Sequence, residues 1–207
     1  MRRAFFGFSA ALMLGLQGCG GASDSKVSSS SSGAIRGGLC GVPGLVGERR
    51  GDVSGRMRGC GIDNAVSVTR VAGVRLTQPA VMNCQTARAL HNWVERGAIP
   101  AVGRTGGGIA SLRVAAHYSC RTVNSRRGGK VSEHGKGRAI DISAINLRDG
   151  SAMTVLGGYN GGRYRGALRK MYRAACGPFS TTLGPGSDRY HQDHFHFDTA
   201  QRGNYCR

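Results

Sequence analysis

Acidic side chains are scarce in this chain: 11 Asp and Glu stand against 29 Lys and Arg, for a formal net charge of +18. Such an excess attracts anionic partners, and in a cytosolic protein it would point to nucleic acid. No RNP motif and no helix-turn-helix pattern is present, so nucleic acid is not the expected partner. Internal repeats are lacking too, which excludes a solenoid or a propeller. None of the cysteines forms the close CxxC pair of a zinc ribbon. The apolar run Ala4 to Leu16 is too short to cross a bilayer as a stable helix.

Arg2 and Arg3 precede that run, which is the layout of an export signal. Leu16-Gln17-Gly18-Cys19 resembles a bacterial lipobox. The resemblance implies a lipoprotein signal peptide over 1–18, with Cys19 lipidated as the mature N-terminus. The alternative is an ordinary secretory signal cut nearby, and either one takes the chain out of the cytoplasm. A lipid on Cys19 anchors a protein to a membrane with no transmembrane helix. Gly20 rather than Asp after Cys19 implies outer-membrane sorting in a Gram-negative cell, facing the periplasm. Residues 19–39 are rich in Gly and Ser and poor in large apolar side chains, as in a flexible tether. Residues 40–207 are a normal length for one domain with its own core. In that compartment the positive charge suits anionic envelope polymers: peptidoglycan carboxylates, lipopolysaccharide phosphates or anionic lipid heads.

With Cys19 set aside, Cys40, Cys60, Cys84, Cys120, Cys176 and Cys206 remain. An even set outside the cytoplasm predicts three disulfides. Six cysteines allow 15 pairings, and the sequence leaves them open. One pair is put forward, Cys176–Cys206, as a staple between the last helix and the C-terminus.

Residues 65–71 alternate apolar and polar side chains, as a half-buried strand does. Pro79 is read near the start of a helix in which Cys84, Ala87, Leu90 and Val94 recur at helical spacing. Gly97 is its expected cap, followed by Pro100. Strands are expected over 111–118, 138–145 and 194–199, and a second helix over about 163–175. Without regular βαβ spacing, this order favours an α+β domain with a mainly antiparallel sheet and flanking helices. Loops 101–110 and 148–162 are the expected walls of any cleft.

Four of the six histidines lie in two short segments, 132–142 and 191–198. A water-activating zinc site needs three protein ligands, an open fourth position and a nearby proton carrier. His134 and Asp141 flank Gly135 and Gly137, which let the backbone turn sharply enough for both side chains to reach one ion. His196 adds a third ligand if the last strand lies beside 138–145. Strand alternation puts His194, His196 and Asp198 on one face, with Phe195 and Phe197 on the other.

Ser132-x-His134-x-x-Gly137-x-Ala139-x-Asp141 resembles the SxHxxGxAxD motif of the LAS-type zinc peptidases, and Asp193-His194-Phe195-His196 resembles the DHxH signature of the murein endopeptidases among them. Over residues 40–207 the domain resembles the bacterial extensin-like C-terminal family. That likeness rests on GCGI at 59–62, Pro79-Ala80 before the Cys84 helix, Tyr118-Ser119-Cys120-Arg121, SEH…AIDI, and LGPGSDRYHQDHFHFD through to Cys206-Arg207. The resemblance implies a LAS/hedgehog-type zinc peptidase fold with Zn²⁺ on His134, Asp141 and His196. It implies Asp193 as the catalytic base, with His194 and His191 beside the metal to orient a ligand or stabilise the oxyanion. Arg121 matches the arginine that binds a substrate carboxylate, and Ser132 either contacts substrate or shapes its loop. Glu133 receives no role and is read as a solvated loop charge. The implied activity is a zinc-dependent peptidoglycan peptidase, of endopeptidase or D,D-carboxypeptidase type. The alternative is a non-catalytic peptidoglycan-binding lipoprotein that retains the metal site.

Overall fold

Alternation over 65–71 does produce a strand, extended at its start to Gly61. The computed structural model describes residues 38–206; the signal segment, Cys19 and most of the tether lie outside the described residues. Nine strands form one sheet: β1 (Leu45–Ser54), β2 (Gly61–Val71), β3 (Val74–Met82), β4 (Ile109–Ala116), β5 (Ala139–Leu147), β6 (Ala152–Thr154), β7 (Thr181–Leu183), β8 (Phe195–Asp198) and β9 (Tyr205–Cys206). Their order is β1-β2-β3-β4-β5-β8-β7-β9, with β6 paired to β5. The helices are α1 (Cys84–Trp93), α2 (Ile99–Val102), α3 (Val155–Gly158) and α4 (Arg165–Ala174).

The domain is α+β, as expected, but its sheet is mixed rather than mainly antiparallel. β3 runs parallel to β4, and β7 parallel to β9. The first parallel pair follows from the connection between its strands. Parallel neighbours need a crossover of a dozen or more residues, usually helical, and residues 84–102 supply one.

Two local expectations for that helix change. Pro79 lies within β3. β3 and β4 pair only at Arg75–Ser111 and Leu76–Leu112, so the N–H that Pro79 lacks costs that ladder nothing. Further along, Thr77 Oγ1 accepts from Val114 N–H (3.0 Å) and the Gln78 amide donates to Val114 O (3.0 Å), bridging the two strands with side chains. Gly97 does not end the helix: α1 passes through a π-helical turn, Val94–Ala98, directly into α2. A Cβ at Gly97 would stand 2.8 Å from the Ala174 Cβ. This glycine therefore serves the close approach to α4.

The core lies on the sheet face that α1 and α4 cover. Leu90, Trp93, Leu168 and Met171 are all fully buried there, and the Trp93 indole donates to Met171 O at 2.8 Å, tying the two helices together. Phe197 of β8 meets Trp93 edge-on at 5.0 Å and stacks on Phe179 at 5.1 Å. Leu39 is already part of this core. Three disulfides cross-link the domain: Cys40–Cys84, Cys60–Cys120 and the expected Cys176–Cys206. Among the described residues, no helix is long and apolar enough to cross a membrane.

Candidate metal centre

The site follows from the register of two short strands. β5 and β8 are antiparallel neighbours with Ile140 opposite Phe197, Asp141 opposite His196, and Ile142 opposite Phe195. Directly opposed residues share a face of the sheet. The large apolar partners of this ladder all point into the core, so Asp141 and His196 must emerge together on the other face. A slip of one residue would turn the phenylalanines outward, which their burial opposes strongly.

His134 reaches the same point from the single 3₁₀ turn Glu133–Lys136 that leads into β5. Ser132 begins this turn, its hydroxyl accepting from His134 N–H (3.4 Å). Gly137 ends it in the left-handed region, at φ 62°. A side chain at Gly137 would collide with Ile62, whose Cδ1 lies 2.2 Å from the Cβ position.

The three side chains converge. The Asp141 carboxylate lies 3.1 Å from His134 Nε2 and 2.8 Å from His196 Nδ1, and the two ring nitrogens are 3.1 Å apart. All three residues are buried, and they form a group with the spacing a metal ion requires. Outer partners fix which ring nitrogen carries hydrogen. His134 Nδ1 is 2.8 Å from His117 O, a backbone carbonyl that can only accept, so Nδ1 donates. His196 Nε2 donates to the Asp198 carboxylate at 3.2 Å. In their neutral forms both rings therefore aim lone pairs at one point, beside a carboxylate. Three electron-rich groups at such separations demand a cation. Ligand separations of about 3.3 Å are what tetrahedral zinc imposes, and outer oxygens on both histidines are the usual companions of metal ligands. The donor set fits zinc.

Where no metal is bound, a proton serves as that cation. Burial alone would lower the His196 pKa, but hydrogen bonds and charge from Asp141 and Asp198 outweigh it and push it up to about 9. Burial alone would raise the Asp141 pKa, yet its hydrogen bonds to His134 and His196 hold it well below the usual carboxylate range. The sign for stability follows from linkage. A raised His196 pKa stabilises the metal-free fold fully below its ordinary value of 6.5, and that contribution is lost as pH rises through about 9. The melting temperature of metal-free protein is thus expected to fall between pH 6.5 and 9. With zinc in excess the fall should vanish or reverse, because the metal replaces the proton. Calorimetry across that range checks both curves.

Two further histidines complete the surroundings. His194 Nε2 is 3.7 Å from Asp141, while its Nδ1 is 2.7 Å from Asp193. His191 Nδ1 is 2.7 Å from Asp188, and its ring centre is 5.5 Å from that of His196. Asp193 itself is 66% exposed and, among the described residues, touches the cluster through His194. It does not line the cavity in front of the three converging residues; His191 and His194 do.

That cavity, about 320 Å³, opens between segments 121–136 and 183–202. Loops 101–110 and 148–162, the walls expected from sequence, instead border a separate cavity with Thr105, Asp149 and Tyr164. Arg121 and Ser132 line the site cavity, together with Lys130, Tyr190 and Arg202, for which no role is expected from sequence. Glu133 is no solvated charge. Its carboxylate is buried, 2.8 Å from Lys136 Nζ and 3.9 Å from both the Arg138 and the Arg202 guanidinium.

The family model described as Extensin-like protein C-terminus matches residues 46–207, most of the chain. None of the curated proteins and none of the solved structures matches it.

Proposed function

The chain belongs to the extensin-like C-terminal family, a grouping that fixes no reaction, and from the geometry of its site we propose that it is a zinc-dependent peptidoglycan peptidase of the bacterial cell envelope. The observation that carries this reading is the convergence of His134 Nε2, His196 Nδ1 and the Asp141 carboxylate, their tautomers set from outside, at the floor of a cavity. The likeness of Ser132–Asp141 and Asp193–His196 to the LAS-type peptidase motifs supports it. So does the lipobox-like Leu16–Cys19, which would tether the domain to the outer membrane facing peptidoglycan.

His134, Asp141 and His196 would hold the zinc, which would supply a Lewis acid for a scissile carbonyl and a water molecule. The remaining work falls to the chain's own side chains. His194 faces Asp141 and the cavity through Nε2, with its other nitrogen held by Asp193. In this position it accepts a proton from the attacking water at Nε2 and returns it to the departing amine. Asp193 keeps the ring in the tautomer that leaves Nε2 free, so it acts through His194 and not on substrate. His191, held likewise by Asp188 through Nδ1, presents its ring to the same cavity, where Nε2 accepts from a substrate N–H. The Arg121 guanidinium forms no ion pair among the described residues and lines the cavity, free to hold a stem-peptide carboxylate.

Purified protein is expected to hold about one zinc by elemental mass spectrometry. It should release new amines from peptidoglycan, with muropeptide mass spectrometry identifying the bond cut, and a chelator should stop the reaction. A full complement of zinc with no cleavage of any sacculus preparation would leave a non-catalytic peptidoglycan-binding lipoprotein instead.

A further inference from the structure

Arg202 belongs to the C-terminal tail, outside every stretch of sequence that suggests chemistry, yet it reaches the site. One of its guanidinium nitrogens lies 3.2 Å from Asp198 Oδ2, and the other 3.9 Å from Glu133 Oε1. Both carboxylates are buried, and each stands next to the metal cluster in a different way. Asp198 holds the outer nitrogen of His196, whereas Glu133 precedes His134 in the turn that delivers it. Asp198 has further support from Ala200 N–H at 3.0 Å, but Arg202 is its one cationic side-chain partner besides His196 among the described residues. A buried carboxylate that loses its guanidinium partner is free to swing toward solvent. That movement would loosen the ring that it orients.

The tail meets the sheet at its edge. β9 is two residues long and pairs with β7 at the edge of the sheet, through Thr181–Tyr205 and Thr182–Cys206. A pairing this short is marginal without support. Tyr205 N–H adds a bond to Ser180 O at 2.6 Å, and the Cys176–Cys206 disulfide fixes the chain four residues beyond Arg202 to a point just past α4.

We propose that Arg202 is a positioning residue of the metal site, clamping Asp198 and Glu133 behind His196 and His134, and that the Cys176–Cys206 disulfide sets metal affinity by holding Arg202 in place. This rests on the reading of His134, Asp141 and His196 as zinc ligands. Outer partners of metal-bound histidines typically account for about 10–100-fold in affinity, and Arg202, one step further out and 58% exposed, belongs at the lower end.

The test is zinc affinity by competition with a chromophoric chelator, on native protein, Arg202→Met, Arg202→Lys and the paired Cys176→Ser/Cys206→Ser variant. Arg202→Met should bind zinc about tenfold more weakly. Arg202→Lys should recover part of the loss, because a single ammonium meets one carboxylate but lacks the fork that spans two. The serine pair should lose about as much as Arg202→Met, and adding Arg202→Met to it should cost little more. The visible spectrum of each cobalt-substituted variant reports ligand geometry, and should shift in Arg202→Met even where the metal-free melting temperature does not. Native affinity, within twofold, in Arg202→Met overturns the proposal. Native affinity in the serine pair alone overturns its disulfide clause. Native protein that binds no zinc refutes the metal site itself, a distinct outcome.

Discussion

Replacing His196 with alanine is expected, on the proposed reading, to strip the protein of zinc and abolish peptidoglycan cleavage while leaving the domain folded. Removing one of three converging donors leaves His134 and Asp141, too few to hold zinc in a structural sense. The drop in affinity will exceed the roughly 10–100-fold that outer partners account for. Folding survives because the strand does not depend on this imidazole: Phe195 and Phe197 stay buried in the core, and Asp198 keeps Ala200 N–H and Arg202. Elemental analysis should find no zinc in dialysed variant protein, and circular dichroism should match the native spectrum. A variant that retains both its zinc and its full hydrolytic rate would sink the assignment of the site.

His194→Ala will show the opposite division of effects: zinc retained, turnover lowered. General acid–base catalysis is worth about 10²–10⁴-fold, and the fall in kcat should lie in that range. Asp193→Asn should cost less, because the amide oxygen still accepts from His194 Nδ1 and only the charge is lost. The double variant should be no slower than His194→Ala alone, as expected when one residue acts solely through the other. The reverse ranking, with Asp193→Asn as damaging as His194→Ala and the pair additive, would place the proton carrier on Asp193, as the motif resemblance implies.

That contrast shows where the sequence was readable. Period-two patterning over 194–198 put His196 and Asp198 on one face and the phenylalanines on the other, and the ladder with β5 bears this out. The glycines around His134 likewise announced a tight turn before Asp141. The side to which Asp193 turns depends on the loop before β8, which has no periodicity to read. The same holds for Glu133: one charged residue in a glycine-rich loop looks solvated until Lys136, Arg138 and Arg202 are seen around it. His117 left no trace at all, since it contributes a backbone carbonyl and any residue could do so. In the fold, β2, β4, β5 and α4 were legible from their patterns. Parallel pairing of β3 with β4 was not, because Pro79 in an apolar stretch resembles a helix start, and a π turn carries the helix past Gly97. The short strands β6, β7 and β9 have two or three residues each, too few for a period to register.

The residues proposed to hold zinc sit on, or shortly before, two strands in the middle of the sheet, whereas the cavity walls are the segments around 121–131 and 183–194. In that proposal, holding the ion and choosing what lies against it fall to different parts of the polypeptide. Apart from Leu183, which pairs with His196, the wall residues lie outside the ladder that opposes Asp141 to His196. On the proposed reading, substrate preference can change in the walls while the three donors stay as they are.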